Sequence, residues 1–221
     1  MADLPFWELL AAAQQRNNST LAVGLAPALN RLPEESQRWD EPFLPFGKAV
    51  IDTTHDLVCA YVFHLGAYLA LGAAGAVALE RTMAYVPSGI VKILHGPFAS
   101  DEYVTAAFED GFGANAVTLL PVSNEMVIDY IIDNKHGAFI GRLVSLTGMR
   151  ARAGQIGLYY EKAHLPGRYS MVLVKEPLAF SIEWHTNNII FASQGKDFRN
   201  AMRAAAIKAR TAPAPEAGHD A

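Results

Sequence analysis

Three groups of residues in this chain have the chemistry to act on a small molecule. Lys175 ends "SMVLVK", a strand-like apolar run, so its amine is expected near the strand's C-terminal end. A lysine desolvated among apolar side chains loses part of its affinity for the proton and can add to a carbonyl as a Schiff-base amine. Tyr159, Tyr160 and Glu176 are the neighbours expected to move protons for it. His95 closes "IVKILH" and His64 follows "LVCAYVF". Two histidines at the ends of two strands can serve as a general base or as two metal ligands, the second use needing a third ligand such as His185 or Glu183. Trp184 and His185, in "IEWHTNN", could wall a ligand. Each group also has a plain reading: a lysine reaching into solvent, hydrogen-bonded histidines, a packed tryptophan. Arg142 and Arg152 could hold an anion, but "RLVSLTGMRAR" lacks the glycine spacing of an anion nest. No resident metal or cofactor is expected.

These side chains must be positioned by a scaffold, and the first half of the chain shows its pattern. "FWELLAAAQQRN" has apolar residues at helical spacing and "STLAVGLAP" is a short apolar run ending in turn residues. "LVCAYVF", "IVKILH", "NAVTLLP" and "AFIGRLVSL" repeat the strand pattern with helical stretches between them, among them "SDEYVTAAFEDGF" with Ser100 or Asp101 as N-cap. Strands alternating with helices predict parallel βαβ units. From Gly137 to Thr186 the pattern changes. "AFIGRLVSL", "QIGLYYEKA", "YSMVLVKE" and "LAFSIEWH" are separated by "TGMRARAG", "HLPGR" and Pro177. Parallel crossovers need about a dozen residues or more, so this segment is expected to be antiparallel, or a barrel stripped of its outer helices. "DFRNAMRAAAIKARTA" is expected to close a single domain over 1–210, with 211–221 as a disordered tail.

Bulk properties narrow the function classes. With 221 residues, 51% of them hydrophobic, the chain can bury one sizeable core. Its net charge is −4, and its 18 lysines and arginines form no run, which argues against nucleic-acid or anionic-membrane partners. The single cysteine, Cys59, sits in an apolar run, so it forms no intramolecular disulfide and belongs to no zinc cluster. The early acids of "MADLPFWELL" do not fit a secretory signal, and "LGAYLALGAAGAVALE" is too short for a span. A soluble cytoplasmic protein is the expectation.

The stretches "RNNSTLAVGLAP", "VIDTTHDLVCAYVFHLGAYLALGAAGAVALERTMAYVPSGI", "AAFEDGFGANAVTLLP" and "IIFASQGKDF" together resemble the orotidine 5′-monophosphate decarboxylase family in its longer bacterial form. The resemblance implies a TIM (β/α)8-barrel fold with the site at the C-terminal ends of the strands, and a homodimer. It also implies a charged network that this chain lacks. The family's Asp after the first strand is Ala26 here. Its second-strand Lys-Pro-Asn is Val62, Phe63 and His64, and its third-strand Asp-x-Lys-x-x-Asp falls on His95, Pro97 and Ser100. Leu120-Pro121 stands for Asn-Pro, "VLVKEPLAF" for the Gly-rich phosphate loop, and Asn187 for the phosphate-binding Arg.

Decarboxylation by that network needs a lysine to protonate the carbanion and acids to orient the substrate carboxylate, and proline does neither. The framework is kept while the functional positions are emptied together, which reads as repurposing by design or selection. Ala26, Val62, Phe63, Pro97 and Leu120 would make the mouth apolar and suited to a flat or aromatic small molecule. The expected function is a decarboxylase-like scaffold without decarboxylase activity, carrying a remodelled apolar pocket. The alternatives are a new lyase using Lys175 or His95 and, further off, an active decarboxylase of pyrimidine biosynthesis.

Overall fold

The computed structural model describes residues 4–108, 111–120, 125–141, 155–162, 168–175 and 177–210. Glu176, Arg142, Arg152 and the expected tail lie outside these residues. In chain order the elements are α1 (Phe6–Asn17), β1 (Leu21–Leu25), α2 (Glu34–Gln37), α3 (Phe43–Thr54), β2 (Ala60–His64), α4 (Leu65–Leu69), α5 (Gly72–Tyr85), β3 (Val91–Phe98), α6 (Asp101–Ala107), β4 (Ala116–Leu119), α7 (Glu125–Asp133), β5 (Gly137–Gly141), β6 (Ile156–Glu161), β7 (Arg168–Lys175), β8 (Leu178–His185), α8 (Asn187–Ile190) and α9 (Phe198–Ala209).

The eight strands close into one barrel in sequence order, with β8 pairing parallel to β1. Strands β1 to β5 pair parallel, and β2 to β5 are each preceded by a helix that covers the sheet, as the alternating pattern requires. The expected change after Gly137 is present but begins one strand later. β5 and β6 are parallel, with Ala138 opposite Ile156. The described part of β5 reaches Gly141 and β6 begins at Ile156, a spacing in sequence long enough for a parallel crossover. Antiparallel pairing holds for β6 with β7 and for β7 with β8. The barrel thus has one reversed strand, β7, flanked by two hairpins.

Inward and outward side chains alternate along each strand, and this splits the core in two. Leu21, Val23 and Leu25, with Tyr61 and Phe63 of β2, face the surrounding helices. Ala22, Ala60, Val62, Ile93 and Ala116 face the interior, where Phe139, Met171, Ile182 and Trp184 reach across from the far wall. Small residues on one side are matched by large ones on the other, so the interior is filled rather than open.

Helix α1 closes the N-terminal end. Phe6, Leu10 and Ala13 join the interior cluster, and the Phe6 ring meets Phe139 edge to face at 5.8 Å. The Phe6 backbone N–H donates to Lys135 O at 3.1 Å, just before β5, and Gln14 Nε2 donates to Ser181 O at 2.7 Å. Gly137 is required here, because a Cβ on it would stand 2.3 Å from the Phe6 ring. Cys59 is buried, and burial pushes its thiol up to about 12, which makes it inert. Among the described residues no helix is long and apolar enough to cross a membrane.

Candidate functional site

The parallel register of β2 and β3 sets His64 directly beside His95 at the C-terminal ends of both strands. Both have inward parity, and their rings lie 4.8 Å apart. Trp184 of β8 packs against both, at 5.2 Å from His64 and 5.0 Å from His95. Tyr159 of β6 approaches His95 edge to face at 6.0 Å, and Tyr169 of β7 stacks on Trp184 at 4.4 Å. Two imidazoles, an indole and two phenols from five strands therefore converge at the mouth end of the interior.

The cluster depends on a glycine. Trp184 and Thr186 cross β1 at Gly24, where a Cβ would stand 2.5 Å from Trp184 Nε1 and 2.1 Å from Thr186 Oγ1. The indole N–H is satisfied there, donating to Thr186 Oγ1 at 3.0 Å. His95 is held by Thr118 of β4, with Nδ1 at 2.9 Å from Oγ1. The same hydroxyl accepts from Gly96 N at 3.2 Å and donates to Gly96 O at 3.3 Å. A hydroxyl that gives its one hydrogen to Gly96 O would take the Nδ1 proton of His95 and leave the Nε2 lone pair open, whereas the opposite tautomer reverses both roles.

The third-strand end that resembles a catalytic array is a bulge. Pairing shifts between Leu94, opposite Val117, and Phe98, opposite Leu119. Pro97 is the exposed apex, consistent with its lack of a donor for the ladder, and Phe98 turns into the helix-facing core. The Gly-Pro-Phe sequence shapes the strand's exit and leaves His95 as its last inward polar group.

Electrostatics make both histidines neutral. Burial first and neighbouring His95 second push His64 down to about 3, while burial alone pushes His95 down to about 4. Among the described residues, His64 Nε2 is buried and has no hydrogen-bond partner. Such an orphan costs roughly 1–3 kcal/mol, which a ligand's polar group can recover.

The remaining expected site residues are placed as follows. Val62 lies inside the barrel below His64 and is fully buried. Ala26 follows β1 half-buried, and Leu120 follows β4 at 37% exposure. Phe63 faces the helices and does not line the mouth. Tyr160 has the opposite parity to Tyr159, so its ring is on the outer face with Ser170 opposite it. His185 likewise faces outward, beside Asn188 at 3.1 Å, and burial and Arg168 push it down to about 4. Glu183 shares that outer face and pairs with Lys162 while accepting from Ser170 Oγ at 3.1 Å. Neither can be a third ligand to the histidine pair, and among the described residues no group of three His, Cys, Asp or Glu could hold a metal.

Lys175 is where sequence reasoning and geometry part most. It sits at the C-terminal end of β7, as expected, but β7 runs backwards. Pairing with Leu178 at the start of β8 puts it at the N-terminal end of the barrel, away from His95 and Tyr159. Conversely, Tyr169 and Thr118 belong to the cluster and were not singled out by sequence. Tyr169 could have been found from its position just after "HLPGR", at the hairpin entry to a reversed strand.

Comparison with known proteins gives a consistent likeness. No protein-family model matches the chain. Over 121 residues it is 42% identical to the orotidine 5′-phosphate decarboxylase of Herpetosiphon aurantiacus, covering 52% of this chain and 45% of that one. The enzyme of the same name from Thermomicrobium roseum is 36% identical over 143 residues, 62% of this chain and 50% of that one. The chain thus spans about half the length of the curated relatives it matches. An orotidine-monophosphate-decarboxylase candidate from Toxoplasma gondii is similar in structure, with a TM-score of 0.56 and 28% identity, over 64% of this chain and 49% of that chain. A candidate orotidine 5′-phosphate decarboxylase from Streptomyces avermitilis shares the fold over 95% of this chain and 94% of its own, with a TM-score of 0.68 at 15% identity. The likeness in sequence is to orotidine 5′-phosphate decarboxylases, and the likeness in fold extends to the whole closed barrel.

Proposed function

We propose that this chain is an orotidine 5′-phosphate decarboxylase-like scaffold that no longer decarboxylates and instead binds a neutral, planar aromatic molecule against the His64, His95 and Trp184 cluster. The observation that carries this is the buried, unpartnered Nε2 of His64 beside a second neutral imidazole and an indole. Aromatic rings favour a flat ligand by edge and face contacts. One hydrogen bond to His64 Nε2 would orient it, and His95 Nε2 offers a second polar contact.

Two considerations weigh against catalysis of the ancestral kind. His64, His95 and Pro97 stand where the resemblance implies charged groups, so a carboxylate substrate would meet two uncharged rings and no lysine among the described residues of the cluster. A base pushed down to about 4 is also poorly matched to abstracting protons near neutral pH. The Schiff-base alternative loses Tyr159 as a proton-moving partner, because Lys175 and Tyr159 are at opposite ends of the barrel.

The test uses a Trp7→Phe, Trp39→Phe variant, in which Trp184 is the sole fluorophore of its kind. Phenol, a planar donor, is expected to change the Trp184 emission saturably, while uridine 5′-monophosphate at equal concentration leaves it unchanged. A saturable response to the nucleotide and none to phenol would reverse the reading and restore a nucleotide site.

A further inference from the structure

At the N-terminal end of the barrel, opposite the histidine cluster, lies a second concavity of about 500 Å³. It is bounded by α1, by the loop from α5 into β3, and by the turns entering β4 and β5. Its size falls in the range of small-molecule sites. Its charge is one-sided. Arg16, Lys92 and Lys135 line it, with His136 stacked flat on Phe108 at 3.7 Å in its wall. Among the described residues no aspartate or glutamate lines it. This concentration of cations occurs in a chain whose net charge is −4.

Each cation is set by the local backbone. Arg16 comes from the last turn of α1, where its Nη1 donates to Ser88 O at 2.6 Å. The guanidinium lies over Gly89 (φ +86°), where a Cβ would stand 2.2 Å from Nη1. The fork is thereby oriented while most of its donors remain available to a ligand. Lys92 is the second residue of β3, half-buried, and its amine stands 3.5 Å from the position of a Cβ on Gly113 (φ +65°). Burial lowers its proton affinity, and among the described residues no neighbouring carboxylate offsets this. Lys135, also at positive φ (60°), turns into the cleft just before β5. Three cations from three separate segments, one of them partly desolvated without a counter-charge, make a poor structural device but a good anion site.

We infer that this cleft binds a small polyanion carrying two adjacent phosphoryl groups, with the Arg16 fork on one and Lys92 and Lys135 on the other. Arginine suits phosphoryl oxygens geometrically and lysine supplies point charge. The site is separate from the histidine cluster and independent of what that cluster binds. Lys92 and His95 share β3 three residues apart, roughly 10 Å along the strand, so an anion here would sit behind the mouth and not in it.

The probe is inorganic pyrophosphate, titrated calorimetrically into the full chain at constant low ionic strength without divalent cations. One saturable site is expected, with a Kd of about 1 mM or tighter. Lys92→Gln and Arg16→Gln should each weaken it about tenfold or more, with far-UV circular dichroism confirming that the barrel is intact. Lys135→Gln, on an exposed turn, gives a third variant should the half-buried Lys92 position prove intolerant. Absence of saturable binding, or affinity unchanged in all folded variants, overturns the site. Orthophosphate binding as tightly as pyrophosphate overturns the assignment of two phosphoryl groups.

Discussion

The two histidines at the mouth carry a stability signature that can be read without any ligand. An unfolded histidine takes up a proton near pH 6.5, whereas His95 in the barrel does so only at about 4 and His64 at about 3. Between those values the unfolded chain binds more protons than the folded one, so stability rises with pH. The contribution is fully present above about pH 6.5 and is lost progressively as pH falls towards the folded values. A fully buried histidine contributes at most about 1.4 kcal/mol per pH unit across that window. Urea midpoints measured from pH 7 down to 4.5 should therefore fall steadily. His64→Gln and His95→Gln should each flatten the slope. A wild-type midpoint independent of pH over this range would mean that the two rings are solvated and that the apolar site is not formed.

At the scale of elements, the helix that precedes the barrel is as much a part of its interior as the strands. Phe6 is fully buried against Phe139 and over Gly137, and it links the first helix to the fifth strand. Phe6→Ala should cost about 3–5 kcal/mol, the range for a large buried aromatic. Chemical denaturation measures this directly, and a loss below about 1 kcal/mol would mean that α1 is not docked. The existence of α1 was legible from its apolar spacing, and all eight strands were legible from short runs of apolar residues between turn residues. Their directions were only partly so. The connection after β5 looked too short for a crossover because "RLVSL" extends the apolar run in sequence, and hydrophobicity alone does not fix the direction of the next strand. Parity was likewise hidden. Which of Tyr159 and Tyr160, or of Trp184 and His185, turns inward is set by register with neighbouring strands, a non-local quantity that no single strand encodes. The His64 and His95 pairing was legible because both fall at corresponding ends of adjacent parallel strands.

The whole molecule closes its barrel without a helix, among the described residues, between any two of its last three strands. Three consecutive strands, β6 to β8, are joined to one another by hairpin connections, and the reversal of β7 leaves β8 pointing the right way to pair parallel with β1. An odd number of reversals would have left an antiparallel seam at β1, whereas two hairpins restore direction. The seam is short, with Leu21 opposite Glu183, Ala22 opposite Trp184 and Val23 opposite His185, and Glu183 N donates to Thr20 O at 2.8 Å. Trp184 straddles it, packing on His64 and His95 from the parallel half and on Tyr169 from the hairpins. Neither part can bury its interior face alone: β1 to β4 offer mostly small side chains, and the hairpins offer Met171, Leu173, Ile182 and Trp184, which with Phe139 of β5 fill the space between them. The barrel should therefore unfold as one unit. In the variant whose only tryptophan is Trp184, urea transitions followed by fluorescence and by far-UV circular dichroism are expected to coincide in midpoint and slope. If Trp184 emission changed at lower urea than the helical signal, the hairpin segment would be a separately melting appendage, and the closed seam would not be what holds the mouth cluster together.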